Sequence, residues 1–310
     1  MMSWFVRGSL VAAVVSVIGC GTKAPVAATA EDQIPTVTQP RTVEPPAPGP
    51  QRSTSSQQPQ PRTPMSPQQP QVSSPTTRDA LHRSFAEATR SGDDAPQDAL
   101  RPPDVLYSGR PTFQILETVM KIWDDIRFVD SQGNKIHYTA QIHTDEGIIE
   151  VALFPEQAPN HVRNFVALAR AGYYNGLLFE RTRLEVTDEG KFESLEGGCP
   201  EGRGAAGMGS IGYWLKDEPT DAKVQSHEEG ALGACREIGP DTAACRFYIC
   251  LSKAPFLDGH LTLFGKVVKG LDTARKIYQK PIVKEDQDLV GRRPENPIVI
   301  RKITIQTSNK

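Results

Sequence analysis

No aromatic residue lies between Phe5 and Phe85, and large aliphatics are sparse from Gly21 to Arg110. A stretch so poor in apolar side chains cannot bury enough surface to offset the entropy of ordering it, which excludes a packed core there. Also missing is any H-x-x-x-H or C-x-x-C spacing. The six histidines and five cysteines are scattered, so a metal site has no motif support, and neither metal nor cofactor is expected. A basic surplus is absent too: a formal net charge of −2 gives no electrostatic reason to expect nucleic acid. The most apolar run, Leu10 to Ile18, falls well short of the roughly 20 residues that a spanning helix needs.

That short run follows Arg7 and ends in Val17-Ile18-Gly19-Cys20, a string that resembles the lipobox of bacterial lipoprotein signal peptides. The resemblance implies a signal peptide over residues 1–20 and lipidation of Cys20. It also implies a protein lipid-anchored on the extracytoplasmic side of the cell envelope, facing the periplasm. Gly21, rather than aspartate, follows the cysteine and points to the outer membrane where one exists. Residues 21–111 are rich in Pro, Gln and Ser, as in Pro45-Pro46-Ala47-Pro48-Gly49-Pro50, and read as a disordered tether with polyproline II character. A flexible coil of about 85 residues would separate its ends by roughly 50 Å.

Residues 112–310 carry the periodic patterns of a folded domain. Phe113, Leu116, Met120 and Trp123 recur at helical spacing, and a strand is expected near Ile126 to Phe128. Two turns, Ser131-Gln132-Gly133-Asn134 and Thr144-Asp145-Glu146-Gly147, frame a hairpin of Lys135–Thr144 with Ile148–Phe154. Ala158-Pro159-Asn160 opens a helix that buries Val162, Phe165, Val166 and Ala169 and stops at Gly172. A second helix covers Asp272 to Tyr278. The inward phase shifts between Ile298-Val299-Ile300 and Ile303-Thr304-Ile305, which predicts a bulge. Many short strands with two short helices read as mainly β and favour a closed antiparallel barrel.

Residue strings go further. Gly147 to Glu156 (GIIEVALFPE), then Ala158-Pro159 and Asn164-Phe165-Val166, are similar to the opening of a cyclophilin. Gly172 to Arg181 (GYYNGLLFER) resembles the family's G-Y-Y-D-G-x-x-F-H-R, and Glu196-Gly197-Gly198-Cys199-Pro200 its Q-G-G-D-P. Arg246-Phe247-Tyr248-Ile249 resembles the Q-F-F-I strand; Leu257-Asp258-Gly259 with Phe264-Gly265-Lys266-Val267 resembles L-D-G followed by F-G-K-V. The strings keep the family's order from about Thr139 to Ile305.

The resemblance implies a closed eight-stranded antiparallel β-barrel capped by two helices, with peptidyl-prolyl cis-trans isomerase activity on X-Pro-containing polypeptides. The amide's partial double bond sets a barrier of about 18–20 kcal/mol. A catalyst must hold the proline ring in an apolar pocket and stabilise the twisted amide above either planar form. As the amide twists, its nitrogen becomes an acceptor, and a guanidinium is a permanent donor for it. Arg181 stands at the family's catalytic arginine position. Phe192, Tyr248 and Leu257 would line the proline pocket; Phe179, Phe256, Glu196 and Arg246 complete the expected substrate site.

Departures from the family pattern are part of the reading. Glu180 and Leu261 stand where histidine is frequent, Glu196 and Arg246 where glutamines are, and the run from Arg181 to Glu196 is about seven residues longer than usual. The two opposite charges are expected to be partners. Two functions fit: an isomerase assisting the folding of exported proteins, and a catalytically weak cyclophilin-like module that binds proline-containing segments of an envelope partner. The resemblance also places Cys235 and Cys245 on either side of a strand-joining loop, where a disulfide is possible.

Overall fold

The structure, a computed structural model, describes residues 81–91, 101–204, 209–218, 225–237, 239–287 and 291–309. The chain divides into Met1–Val72 and Ser73–Lys310, and every described residue belongs to the second unit. The signal peptide, Cys20 and most of the tether expected over 21–111 lie outside the described residues.

Two pieces of that expected tether are folded nonetheless. Ser84 and Glu87 form a reciprocal capping box that starts a one-turn helix, α1 (Phe85–Ala88), which runs directly into strand β1 (Thr89–Ser91). Phe85 packs edge-on against Trp123 at 5.3 Å and Tyr213 at 4.9 Å, and the Trp123 indole donates to the Arg83 carbonyl at 2.9 Å. Arg101–Pro111 likewise closes a turn, with Leu106 N–H on the Arg110 carbonyl. Phe85, Ala88 and Leu106 give this otherwise polar stretch a place in the core.

Helix α2 (Thr112–Ile122) follows, but its buried face is Thr112, Ile115 and Val119, continued by Trp123, whereas Phe113 and Met120 are 59% and 52% exposed. The helical period was right and its phase differs from the expected one. Ile126 and Phe128 are buried without forming a strand. Next come β2 (Ile136–Thr144) and β3 (Gly147–Leu153), a hairpin whose turn is held by the Thr144 hydroxyl accepting from Glu146 N–H at 3.1 Å. Helix α3 (Pro159–Arg170) begins with proline, where the missing N–H costs nothing, and ends before Gly172 at φ +72°. Its free N-terminal amides are satisfied from a distance, because the Glu218 carboxylate accepts from Asn160 N–H and His161 N–H.

The rest of the domain is strand: β4 (Leu178–Phe179), β5 (Arg181–Thr187), β6 (Gly190–Gly197), β7 (Tyr213–Leu215), β8 (Ala231–Arg236), β9 (Ala243–Cys250) and β10 (Leu263–Lys269). Helix α4 (Leu271–Tyr278), β11 (Gly291–Arg292) and β12 (Ile298–Asn309) complete the order. Among the described residues the strands hydrogen-bond in the sequence β11-β5-β6-β9-β8-β10-β3-β2-β12-β4, with β7 joined to β9 and β1 to β7. Strand β12 slips register against β2 between Ile300 and Lys302, at the expected bulge.

This is a mainly antiparallel sheet of twelve strands, and it corrects the expectation of a closed eight-stranded barrel. The path ends at β11 and β4. Strands β4 and β5 are separated by Glu180 alone, yet β4 pairs with β12 and β5 with β6. The chain itself spans the gap, aided by a long Gly198 N–H to Leu178 carbonyl bond of 3.4 Å. The main core lies on one face, with Phe165, Tyr174, Phe179, Phe247 and Phe264 buried together. A second, smaller apolar cluster of Phe192, Ala231, Tyr248, Cys250, Ala254 and Leu263 lies apart from it.

Candidate functional site

Alternation along β9 sorts its side chains between the two clusters. Cys245, Phe247 and Ile249 enter the main core, while Tyr248 and Cys250 join the second cluster. Arg246 shares the parity of Tyr248. Across the sheet Glu196 pairs with Tyr248 and with Arg181, Ser194 with Arg183, and Phe192 with Glu185. Register thus places Arg181, Glu196 and Arg246 side by side, with Phe192 and Tyr248 beyond them on the same face.

Arg246 is the hub of a buried ionic group. Its Nη2 donates to Glu196 Oε2 at 3.0 Å, its Nε to Glu180 Oε1 at 3.4 Å, and its Nη1 to Glu237 Oε1 at 3.5 Å. The expected Glu196–Arg246 partnership is therefore present, and it is no rim contact: the two side chains are 6% and 4% exposed. Glu196 Oε2 is shared, since Arg181 Nε lies 3.5 Å from it. Burial works against the Glu196 charge, but Arg181, Arg246 and Arg183 outweigh it and hold that carboxyl below the usual range. Glu180 has the opposite balance. Burial pushes it up to about 7 against the pull of Arg246, and its Oε2 has no hydrogen-bond partner.

Arg181 is the most accessible member, with its side chain 23% exposed. Its Nη1 donates to the Gly204 carbonyl at 2.8 Å, and its Nε is buried without a hydrogen bond. The guanidinium is thus anchored by one arm while a further donor is unspent.

The apolar cluster has its own polar support. Tyr248 stands 5.8 Å edge-on from Phe192, and Phe256 and Leu257 pack against the same group. The Tyr248 ring passes over Gly233, where any Cβ would collide with ring and hydroxyl. That hydroxyl lies 2.9 Å from His227 Nε2, and His227 Nδ1 lies 2.6 Å from Asp258 Oδ1. Burial holds His227 below its ordinary value, although Asp258 pulls the other way. The neutral ring donates through Nδ1 to the carboxylate, so Nε2 accepts from the tyrosine hydroxyl. Asp258 also takes the His227 backbone N–H and the Ser226 hydroxyl.

The structure therefore brings together Arg181, Glu196, Arg246, Phe192, Tyr248, Phe256 and Leu257. Phe179 is not among them: it is buried in the main core, edge-on to Phe247 at 5.9 Å, because β4 pairs with β12 and the chain leaves it for β5 and β6 only after Glu180. Cys235 and Cys245 are both free, which corrects the expected pairing. Cys245 lies in the main core with its thiol donating to the Gly209 carbonyl at 2.7 Å, whereas Cys235 packs against the second cluster. Thiols on opposite faces of a sheet cannot meet. Reading by strings missed His227 and Glu237, which lie in no motif. It noted Glu180 only as a departure, and Asp258 only as part of a string.

Comparison with known proteins bears on this arrangement. The family model described as "Cyclophilin type peptidyl-prolyl cis-trans isomerase/CLD" matches residues 139–305, more than half of the chain. The chain is similar to "Peptidyl-prolyl cis-trans isomerase B" of Bacillus subtilis, 38% identical over 141 residues that cover 46% of this chain and 90% of that protein. It is also similar to "Peptidyl-prolyl cis-trans isomerase-like 2" of Rhizopus delemar, 35% identical over 181 residues; the match spans 58% of this chain and only 31% of that longer protein. Among solved structures, a cyclophilin type peptidyl-prolyl cis-trans isomerase of Cryptosporidium parvum is 28% identical, covering 56% of this chain and 99% of that one, with a TM-score of 0.47.

Proposed function

Because the chain belongs to the cyclophilin-type peptidyl-prolyl cis-trans isomerase family, we propose that it catalyses rotation about Xaa-Pro bonds in exported polypeptides, held to the membrane by a lipid on Cys20. The observation that carries this reading is the Arg181 side chain. It has a guanidinium tied by one arm to Gly204, a buried Nε with no hydrogen bond, and an apolar cluster on the same sheet face.

Proline's ring is apolar and would sit against Phe192, Tyr248, Phe256 and Leu257, losing little on leaving water. The flanking amide would then meet Arg181. In its planar form the amide nitrogen has no lone pair to offer; as it twists, the nitrogen pyramidalises and accepts from the guanidinium, an interaction that exists only near the transition state. The uncatalysed reaction takes tens of seconds or longer, so positioned donors suffice and no covalent step is needed. NMR exchange spectroscopy of the full chain with a panel of Xaa-Pro peptides tests this. Accelerated cis/trans exchange is expected; binding without acceleration would replace the enzyme by a proline-binding module.

A further inference from the structure

Glu180 is a buried carboxyl that the isomerase reading does not use. It is fully buried between β4 and β5, one of its oxygens has no partner, and the other shares Arg246 with Glu196 and Glu237. Nothing in the mechanism above requires a carboxyl there. Resting on the isomerase reading, we propose that Glu180 is a positioning residue whose proton decides how the Glu196 carboxylate is divided between Arg246 and Arg181, and so whether Arg181 is free to serve the twisting amide.

The contacts give the direction. Glu196 Oε2 lies 3.0 Å from Arg246 and 3.5 Å from Arg181, so the carboxylate leans to Arg246 and the Arg181 Nε makes no hydrogen bond to it, the arrangement that a neutral Glu180 favours. Ionised Glu180 competes for the same Arg246 guanidinium and repels Glu196. Glu196 then has less hold on Arg246 and turns to Arg181, the other arginine paired with it among the described residues, whose Nε makes no hydrogen bond. A guanidinium gripped by a carboxylate in a water-poor site is a poorer donor to substrate. A Cβ at Gly204 would collide with the Glu180 side chain, and the Gly204 carbonyl accepts from Arg181 Nη1, so Arg181 cannot retreat without losing that bond.

The groups facing Glu180 pull its titration in opposite directions, and burial wins. Burial dominates and raises it to about 7; Arg246 and the Cys199 amide oppose, and Glu196 reinforces. The neighbouring thiols Cys199, Cys235 and Cys245 are themselves raised by burial and do not ionise there.

The test is isomerase efficiency of the full chain from about pH 6 to about pH 8.5, beside Glu180→Gln, which mimics the protonated carboxyl. Wild type is expected to lose about three- to ten-fold in kcat as pH rises through the Glu180 range, with KM little changed, while Glu180→Gln keeps the acid-limb rate throughout. A flat wild-type profile, or the same inflection in Glu180→Gln, overturns the proposal. An arginine side-chain 15N titration of wild type without substrate stands apart from activity and from folding of the variant. The Arg181 Nε resonance should shift with the same midpoint, and a resonance unmoved across the range overturns the proposal even if the protein proves an active isomerase.

Discussion

Removing Arg246 and Glu196 together should cost clearly less than the sum of removing each alone. The Arg246 guanidinium is 4% exposed and contacts three carboxylates, of which Glu180 is wholly buried and Glu196 and Glu237 are each 6% exposed. Arg246→Gln takes the shared cation from all three carboxylates and leaves Arg181, 3.5 Å from Glu196, and stripping one partner from a buried pair typically costs about 3–5 kcal/mol. Glu196→Gln is milder, about 1–3 kcal/mol, because Glu180 and Glu237 still face the arginine. In the double variant two neutral amides hydrogen-bond where two charges did, so its cost should undercut the sum of the singles by at least about 1.5 kcal/mol, within the range of coupled contacts. Urea unfolding at constant slope reads this directly, since a loss of about 3 kcal/mol moves the midpoint by roughly 1–3 M. Penalties for Arg246→Gln should also grow with pH. Without Arg246 the native Glu180 holds its proton to still higher pH, and a native state that binds more protons than the unfolded chain loses stability as pH rises. Additivity within about 0.5 kcal/mol would refute the account of Arg246 as the hub.

Arg181→Ala should cut turnover ten-fold or more, the worth of a charge-assisted hydrogen bond of about 1.5–3 kcal/mol in the transition state, with the fold intact; unaltered exchange rates would remove Arg181 from the mechanism. Tyr248→Phe strips the donor from His227 Nε2 inside the protein and should cost about 1–3 kcal/mol, so equal stability to wild type would break the proposed chain to Asp258. His227 is depressed by burial, so its contribution is complete above the ordinary histidine value of about 6.5 and lost as pH falls towards its folded value; His227→Gln should flatten that limb of the stability curve, and an identical limb would contradict it. Alkylation of the unfolded, unreduced protein should label Cys199, Cys235, Cys245 and Cys250, and protection of any pair would show a disulfide that the fold does not contain. Intact mass of the membrane-extracted protein should begin at an acylated Cys20, and a soluble Cys20→Ser form is the expected counterpart.

Much of the fold was legible because it is written in local periods. The β2–β3 hairpin, α3 with its proline start, α4 and the β12 bulge all follow from alternation, helical spacing or turn residues within a few positions of one another. Failures arose where a partner distant in sequence decides. The period of α2 is visible, but which stripe is buried depends on what Trp123 and Phe85 pack against, and Phe85 lies in a stretch whose composition argues for disorder. Closure is likewise decided by register: a single residue between β4 and β5 sends one pair to β12 and the rest to β6.

The site divides along the same line. Strings locate Arg181, Glu196, Arg246 and Tyr248 because each sits in a strand whose neighbours are also distinctive. Strings carry neither strand pairing nor parity, however, so Phe179, which β4 commits to the core, enters the expected site, and Glu180 beside it, which reaches Arg246, is left out. The same lack of parity allowed Cys235 and Cys245 to be paired across a loop whose two thiols face opposite ways. Glu237 and His227 needed three dimensions, since each acts on a residue of β9 from outside any motif. What the sequence does show is the pattern of exchange: two neutral glutamine positions and a histidine position became Glu196, Arg246 and Glu180. In a buried site such a set is tolerable only if the charges face one another, because a lone buried charge costs several kcal/mol. Mutual contact among the three could therefore be anticipated from their burial and signs, and the distances of 3.0 and 3.4 Å from Arg246 to the two carboxylates are what that constraint requires.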